Sequence, residues 1–572
     1  MNLQSNGSDL ERPILGYGST QGDEAQGTSQ RPQEKRTRAV DEEWSLPAWG
    51  SFFGEVLFWL FVLGVFFMVI VGLLAHFTDY VDSSNEPREW FGFHDPRSTP
   101  KTSHAPHFEP KCEYPLCPNG VCDYRRYVSN YDEDAAFEGY TMMPVLDWKR
   151  TMLVDMQGRI AHVWNHPYPT VKNAKLNTDG LLFRVAQNDN TTMDLYGFNE
   201  TLGNTIEEVD WEGEITNYCT LEVPHVFFGN DITNVKDGYL VLAWKHLMPS
   251  KCLSLGIRDD TCYGRKLTQS CMFDGVVNVK FGKHHVCEIV WEWWSDDHLV
   301  QDNDSAASAY GTVSASTDRI DVNYFFAQSD SYHIPGDSLH LTSLAYNKGR
   351  KEVMVSSFNK AEIYIIPYTD TSEKETGTAG NLKYRFGNPS AYGCNENAQT
   401  LFRVGQATYD GNEGKVLIFN NNYETGTDMS NCSMHWQCGG NHCPGWDQNI
   451  TTKTAHSEVL EFQLPSSYTL PTSCASPEQT MPTVWNYTSP YFTPRYGGAH
   501  RLPNGNTLIT IGAQKSADGG FVLQEVDDDG NVVWQFKGND TLRTMLFRAQ
   551  RLVAACMMAI LSGTVFYQWT FK

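Results

Sequence analysis

Positive charge is scarce in this chain. Its 572 residues hold 44 Lys and Arg against 68 Asp and Glu, a net charge of -24. A surface this acidic repels nucleic acid and anionic lipid, so no nucleic-acid partner is expected. Repeated long apolar runs are also missing, and a mean hydropathy of -0.42 excludes a polytopic membrane protein. No cysteine occurs in the first 111 residues, although the chain has 14. A composition with 41% hydrophobic and 13% aromatic residues excludes a wholly disordered chain. The 46 Gly, 16 Trp and 27 Tyr suit short strands joined by tight turns.

Residues 1–50 are poor in apolar side chains and rich in Gly, Ser, Gln, Arg and Glu, and they read as a disordered cytoplasmic tail. Residues 56–75 then run for 20 positions without a charge. At ~1.5 Å per residue that crosses a hydrocarbon core of roughly 30 Å, which predicts one transmembrane helix within 51–77. Lys35, Arg36 and Arg38 precede it and only Arg88 closely follows, which favours a cytoplasmic N-terminus. All 14 cysteines follow the segment, as do the N-x-S/T triplets at Asn190, Asn199, Asn303, Asn431, Asn449, Asn486 and Asn539; only Asn6 precedes it. Paired thiols and glycan acceptors belong outside the cytosol, so the expectation is a single-pass type II glycoprotein with an extracellular or lumenal domain. A second uncharged run, 552–571, reads first as an apolar closing element and alternatively as a second membrane span.

Residues 78–135 form a Pro- and Cys-rich juxtamembrane segment, with Cys112, Cys117 and Cys122 closely spaced. Beyond it, from 136 to 548, two phrases recur. One is a Gly turn followed by an apolar strand, as in NTDGLLFRVA (177–186), VKDGYLVLAW (235–244) and LPNGNTLITIG (502–512). The other is a polar strand, an acidic Gly turn and an apolar strand that can end in Trp, as in LVDMQGRIAHVW (153–164) and EVDDDGNVVW (525–534). The turn glycines 180, 238, 349, 414 and 505 lie 58, 111, 65 and 91 residues apart. The 111 interval suggests a concealed unit. The span has room for six units, which predicts an all-β, six-bladed β-propeller ectodomain, with 549–572 as an apolar C-terminal segment. Two stacked β-sandwiches are the alternative. The interrupting stretches 246–275, 296–335 and 425–480 read as loops on one rim.

Three regions are more specific. TSEKETGTAGNLKYRFGNPSAY (371–392) with KVLIFNNN (415–422), DSLHLTSLAYNKGRKEVMVSSFNKAEIYII (337–366), and YGGAHRLPNGNTLITIG (496–512) resemble the arylsulfotransferase family, and with the 207–246 repeat the resemblance spreads over about 140–548. It implies a six-bladed propeller that moves a sulfuryl group from an aryl sulfate to a phenol, without adenosine phosphosulfate and with no cofactor, through a covalent axial histidine. Donors around the transferred group would hold its spread negative charge. In this chain Asp337 and His340 stand in the matching segment, with Thr342 where the family has asparagine and Phe358 at its arginine; Lys360 is near but out of register. The nucleophile falls on Gly405 or within a residue of it, and Asn230 takes a histidine position beside Asp231, five residues after His225. The candidate catalytic residues are therefore His340 and His225, and the candidate substrate-binding residues are Arg403, Thr342 and Asn230. A glycine accepts no sulfuryl group, so a catalytically inactive propeller that binds a ligand or protein is the alternative reading. The Cys/His stretch 432–443 reads as disulfides rather than a metal site, with no metal expected. The WEWWSDDH run (291–298) reads as packed tryptophans, with a phenol pocket as the alternative.

Overall fold

The hairpin turns set the architecture. Asp155, Asp210 and Asp527 each accept, on one carboxylate oxygen, the backbone N–H four residues on, at 2.8, 2.8 and 2.7 Å. The glycine between, Gly158, Gly213 or Gly530, has φ of 79°, 90° or 84° and tolerates it for want of a Cβ. The strand register slips at each of these turns, so each is a bulged hairpin that tightens the local twist.

The computed structural model describes residues 127–553, apart from 147–148, 178–179, 188–201, 237, 258–270, 325–337, 370–373, 376, 395–398, 412–413, 423–455, 472–480, 514–519 and 538–544. The strands are β1 (Val128–Tyr131), β2 (Gly139–Pro144), β3 (Arg150–Val154), β4 (Ile160–Asn165), β5 (Thr170–Leu176), β6 (Leu182–Ala186), β7 (Thr205–Val209) and β8 (Ile215–Thr220). They continue with β9 (Val226–Val235), β10 (Gly238–Leu247), β11 (Cys271–Phe281), β12 (Cys287–Trp294), β13 (Leu341–Asn347), β14 (Glu352–Ser357), β15 (Glu362–Pro367) and β16 (Tyr384–Phe386). The last are β17 (Val404–Asp410), β18 (Lys415–Asn420), β19 (Glu458–Gln463), β20 (Thr483–Thr488), β21 (Gly497–Arg501), β22 (Thr507–Ile511), β23 (Val522–Val526), β24 (Val532–Lys537) and β25 (Gln550–Val553).

Antiparallel pairing groups them into six blades: β25-β2-β3-β4, β5 to β8, β9 to β12, β13 to β16, β17 to β20, and β21 to β24 with β1 outermost. Strand alternation sends successive side chains to opposite neighbours. Leu240 and Leu242 of β10 pack toward blade 4, while Tyr239, Val241 and Ala243 pack toward blade 2. Six such apolar interfaces run around the circle, the last between blades 6 and 1. Tryptophans lock several of them. Trp164, Trp485 and Trp534 each donate the indole N–H to a turn carbonyl of the next blade, at Asp210, Asp528 and Met156. The run at 291–298 is packing of the same kind: Trp291 and Trp293 are buried between blades 3 and 4, and Trp294 faces blade 2.

The blade count of six stands, but two expectations are corrected. The 111-residue interval conceals no blade; it is blade 3 with long connections. The unit without a turn glycine is blade 1, whose innermost strand β25 comes from the far end of the chain, so no inner hairpin joins it to β2. The ring also exceeds 136–548, because β1 lies in the segment taken as juxtamembrane and β25 in the segment taken as C-terminal. Both ends of the ring are thus closed by strands distant in sequence. Among the described residues no helix is long and apolar enough to cross a membrane, and 56–75 and most of 552–571 lie outside them.

Alternation of strand direction puts the β10-to-β11, β12-to-β13 and β18-to-β19 connections on the face where innermost strands begin, while tight glycine turns occupy the other. Of the long stretches, the described residues 248–257 and 296–324 belong to these connections, while 464–471 follow β19 on the opposite face. Cys219–Cys287 joins the outer strands of blades 2 and 3, and Cys252–Cys271 closes the β10-to-β11 connection. Cys112, Cys117, Cys122 and the 432–443 cluster lie outside the described residues, among which no group of three metal-ligating side chains occurs.

At the axis lies a buried ion cluster. Arg548, just before β25, pairs with Asp231 of β9 at 2.8 Å and donates to the carbonyls of Thr342 in blade 4 and Gly405 in blade 5, both at 2.7 Å. Asp231 also accepts from Asn173 and Lys175 of blade 2, each at 3.0 Å, and from Leu344 N–H of blade 4. Blade 6 contributes Gly498, where an added Cβ would lie 3.1 Å from the Arg548 chain. Burial alone would push the Asp231 carboxyl up; Lys175 and then Arg548 outweigh it and hold it below its ordinary range.

Asp231→Asn leaves the buried Arg548 and the half-buried Lys175 without their anion. We expect a loss of ~3–5 kcal/mol in denaturant unfolding; an unchanged midpoint would show that the cluster contributes nothing. Three histidines predict an acid dependence. Burial, helped by Arg184 at His166 and by Arg551 at His500, pulls His166 to about 2 and His162 and His500 to about 4. Unfolded histidine titrates near ~6.5. Below that value the unfolded chain binds more protons, so stability falls from about pH 6.5 downward through about pH 4. Melting temperatures that stay flat from pH 7 to 5 would contradict this.

Candidate functional site

Five blades carry the same uncommon backbone at or near the start of their innermost strand. Lys172, His225, His340, Arg403 and Tyr496 have φ of 61°, 62°, 49°, 57° and 58°, and none is glycine. Each costs ~1–2 kcal/mol in isolation. The cost is met by a repeated bond to the second strand of the same blade: the carbonyls of His225, His340 and Arg403 accept from the backbone N–H groups of His246, Phe358 and Asn421 at 2.9, 3.1 and 3.2 Å. Because all innermost strands run the same way, these residues share one mouth of the ring.

The mouth is cationic and aromatic. Arg403 is buried, with its guanidinium 5.9 Å from the Phe358 ring centroid. His340 is half-buried between Phe358 and Trp244, at centroid distances of 5.9 and 5.7 Å. Asp274 of blade 3 fixes that pocket. Its carboxylate accepts from Trp244 Nε1 at 2.7 Å, Leu341 N–H at 2.8 Å and His340 N–H at 3.1 Å. His225 is exposed, 6.0 Å from the ring of His246, whose imidazole is lowered by burial and then by His225. Across the mouth Lys172 donates to the Tyr496 hydroxyl at 3.1 Å, joining blades 2 and 6.

The structure therefore brings His225, His340 and Arg403 to equivalent positions. It does not do so for the other two sequence candidates. Asn230 donates its amide to the Leu341 carbonyl at 2.7 Å, and Thr342 donates its hydroxyl to the Val404 carbonyl at 2.8 Å. Both are buried blade-to-blade ties beneath the ring. Lys360 is buried, and its ammonium donates to the carbonyls of Asp321 and Tyr324. Sequence reasoning did not single out Lys172 and Tyr496, and no motif marks them, because a left-handed non-glycine residue leaves no pattern. Of the glycan acceptors, Asn303 and Asn486 are exposed, while Asn190, Asn199, Asn431, Asn449 and Asn539 lie outside the described residues, as does Asp337.

Gly405, on which or within a residue of which the family resemblance puts the nucleophile, is closed. A Cβ there would lie 2.5 Å from Asn421 Oδ1 and 3.1 Å from Phe419 Cδ1. Asn421 is itself held by its amide on the Thr493 carbonyl at 2.9 Å.

No protein-family model matches the chain, and no curated protein matches it. Among solved structures it is similar to a protein of unknown function from Bacteroides caccae, at 10% identity and TM-score 0.36, covering 73% of this chain and 99% of that one. It is also similar to a candidate 6-phosphogluconolactonase from Bacteroides fragilis, at 10% identity and TM-score 0.33, covering 74% and 99%. Likenesses this distant speak to no residue. No family model or curated protein supports the sulfotransferase resemblance, and the propeller stands on its own strand pairing.

Gly405→Ala should lower stability by ~1–3 kcal/mol, as overpacking does. A neutral result in thermal unfolding would show that the position has room for a side chain.

Proposed function

We propose that this propeller binds an anionic small molecule at the mouth ringed by His225, His340, Arg403 and Lys172, without passing a group through a covalent intermediate. The observation that carries this reading is Gly405: the position offers neither a nucleophile nor space for one, while cationic and imidazole side chains repeat at or near the start of the inner strands. Aryl sulfates and phenols are the ligand class that the family resemblance implies. The Trp244 and Phe358 rings beside His340 suit an aromatic body next to an anionic group. Cysteine pairs between and within blades support a domain outside the cytosol, tethered through the apolar residues 56–75.

Sulfuryl transfer through His340 is the second reading, favoured by its half-buried imidazole in an aromatic pocket beside Arg403. In that case a neutral ring nitrogen attacks sulfur, the sulfur–oxygen bond to the aryl group breaks, and the phenolate leaves. An acceptor phenol later takes the sulfuryl group and restores the imidazole.

Titration of the full chain with 4-nitrophenyl sulfate, followed by calorimetry and by phenolate colour, separates the two. Binding without colour, weakened at least tenfold by Arg403→Met and by His340→Ala, is the expected result. Colour released by the wild type and abolished in His340→Ala would establish transfer instead. Absence of both binding and colour would sink both readings.

A further inference from the structure

Propeller blades leave their outermost strands as free edges, and most of those described here are covered or tied. Blade 6 is covered by β1, and blade 3 by the parallel pair Lys374–Glu375. The end of β8 in blade 2 is tied to blade 3 by a bridge from Thr220 to Val286 and by the Cys219–Cys287 disulfide. Blade 4 ends in the three-residue β16, which is buried throughout. Among the described residues the outer strands of blades 1 and 5 have no partner, but β4 of blade 1 is half-buried over residues 160–163 and exposed only at Asn165. In blade 5 the outer strand β20 is six residues long, reads TVWNYT, and exposes Thr483, Val484, Asn486 and Thr488, with Val484 at 47%. Among the described residues no strand pairs with its outer side.

TVWNYT is a hazardous sequence for a bare edge. It contains no charge and no proline, and all its residues but Asn486 favour strands. Edges of this composition template pairing with other chains unless something blunts them; the strand holds neither lysine nor proline, and no covering element occurs among the described residues. The strand does carry an acceptor triplet, Asn486-Tyr487-Thr488. Strand alternation turns Tyr487 inward, against the interface with blade 6, and leaves Asn486 and Thr488 outward on the opposite face. A sugar on Asn486 would therefore displace nothing in the core and would stand over the unpaired edge.

We propose that Asn486 carries an N-linked oligosaccharide that shields the outer edge of blade 5 from strand addition. This rests on the non-cytosolic placement proposed above. The experiment is expression of the full chain in a eukaryotic secretory cell, detergent solubilisation, and glycopeptide mass spectrometry before and after treatment with peptide N-glycosidase. Size-exclusion chromatography of the wild type and variants follows. Asn486 should be occupied. Asn486→Gln and Thr488→Val, which remove the glycan by different atoms, should both yield a larger species than the wild type. Adding Val484→Lys to Asn486→Gln should return the wild-type size, because a charge blunts the edge in place of the sugar.

If Asn303 or another acceptor is occupied while Asn486 is not, this inference alone is overturned. If no acceptor is occupied at all, the non-cytosolic placement falls with it. If Asn486 is occupied but its removal leaves the size unchanged, the shielding role is wrong.

Discussion

The contact between Arg548 and Asp231 is the constraint on which the rest depends. Six blades packed only through apolar faces could slide or open; one guanidinium reaching blades 3, 4 and 5, and one carboxylate reaching blades 2 and 4, fix them at the axis. The arrangement is expensive to desolvate, and it holds because both terminal nitrogens of Arg548 and both oxygens of Asp231 find partners. Arg548 bonds the carbonyls two residues past His340 and Arg403 along their strands, so the cluster forms a polar floor beneath the ring of left-handed residues.

That floor changes how the site candidates are understood. Asn230 and Thr342 are polar residues in the right part of the chain for ligand contact, yet their side chains tie neighbouring inner strands together. Gly405 presents its carbonyl to Arg548 and has no space above its Cα. These positions serve ring closure. What remains at the surface of the mouth is positive charge, imidazole and aromatic carbon, the groups that the proposed function assigns to ligand binding.

Much of the fold was legible because its devices are local. An acidic residue, two others and a glycine mark a bulged hairpin, and a tryptophan a few residues after that glycine marks the lock on the next blade, as at Trp164 after Gly158 and Trp534 after Gly530. Period-two alternation does the rest. What escaped is nonlocal. Arg548 sits in a stretch with no motif, and its partners lie between 143 and 317 residues away. The strands β1 and β25 look like linker and tail until their pairing is seen. The site was half legible for the same reason: His225, His340 and Arg403 stood out through the family phrases, whereas Lys172 joins them only through its backbone angle.

The completion of blade 1 by β25 has a consequence for how the molecule is made. Synthesis runs from the N-terminus, so β2, β3 and β4 emerge more than 380 residues before the strand that finishes their sheet. Throughout translation the first blade waits with an open inner edge, and the axial arginine arrives only at the end. A ribosome that stops short of residue 548 therefore releases a chain that can form local hairpins but cannot close, and whose unpaired inner edge and exposed apolar faces make it prone to aggregate.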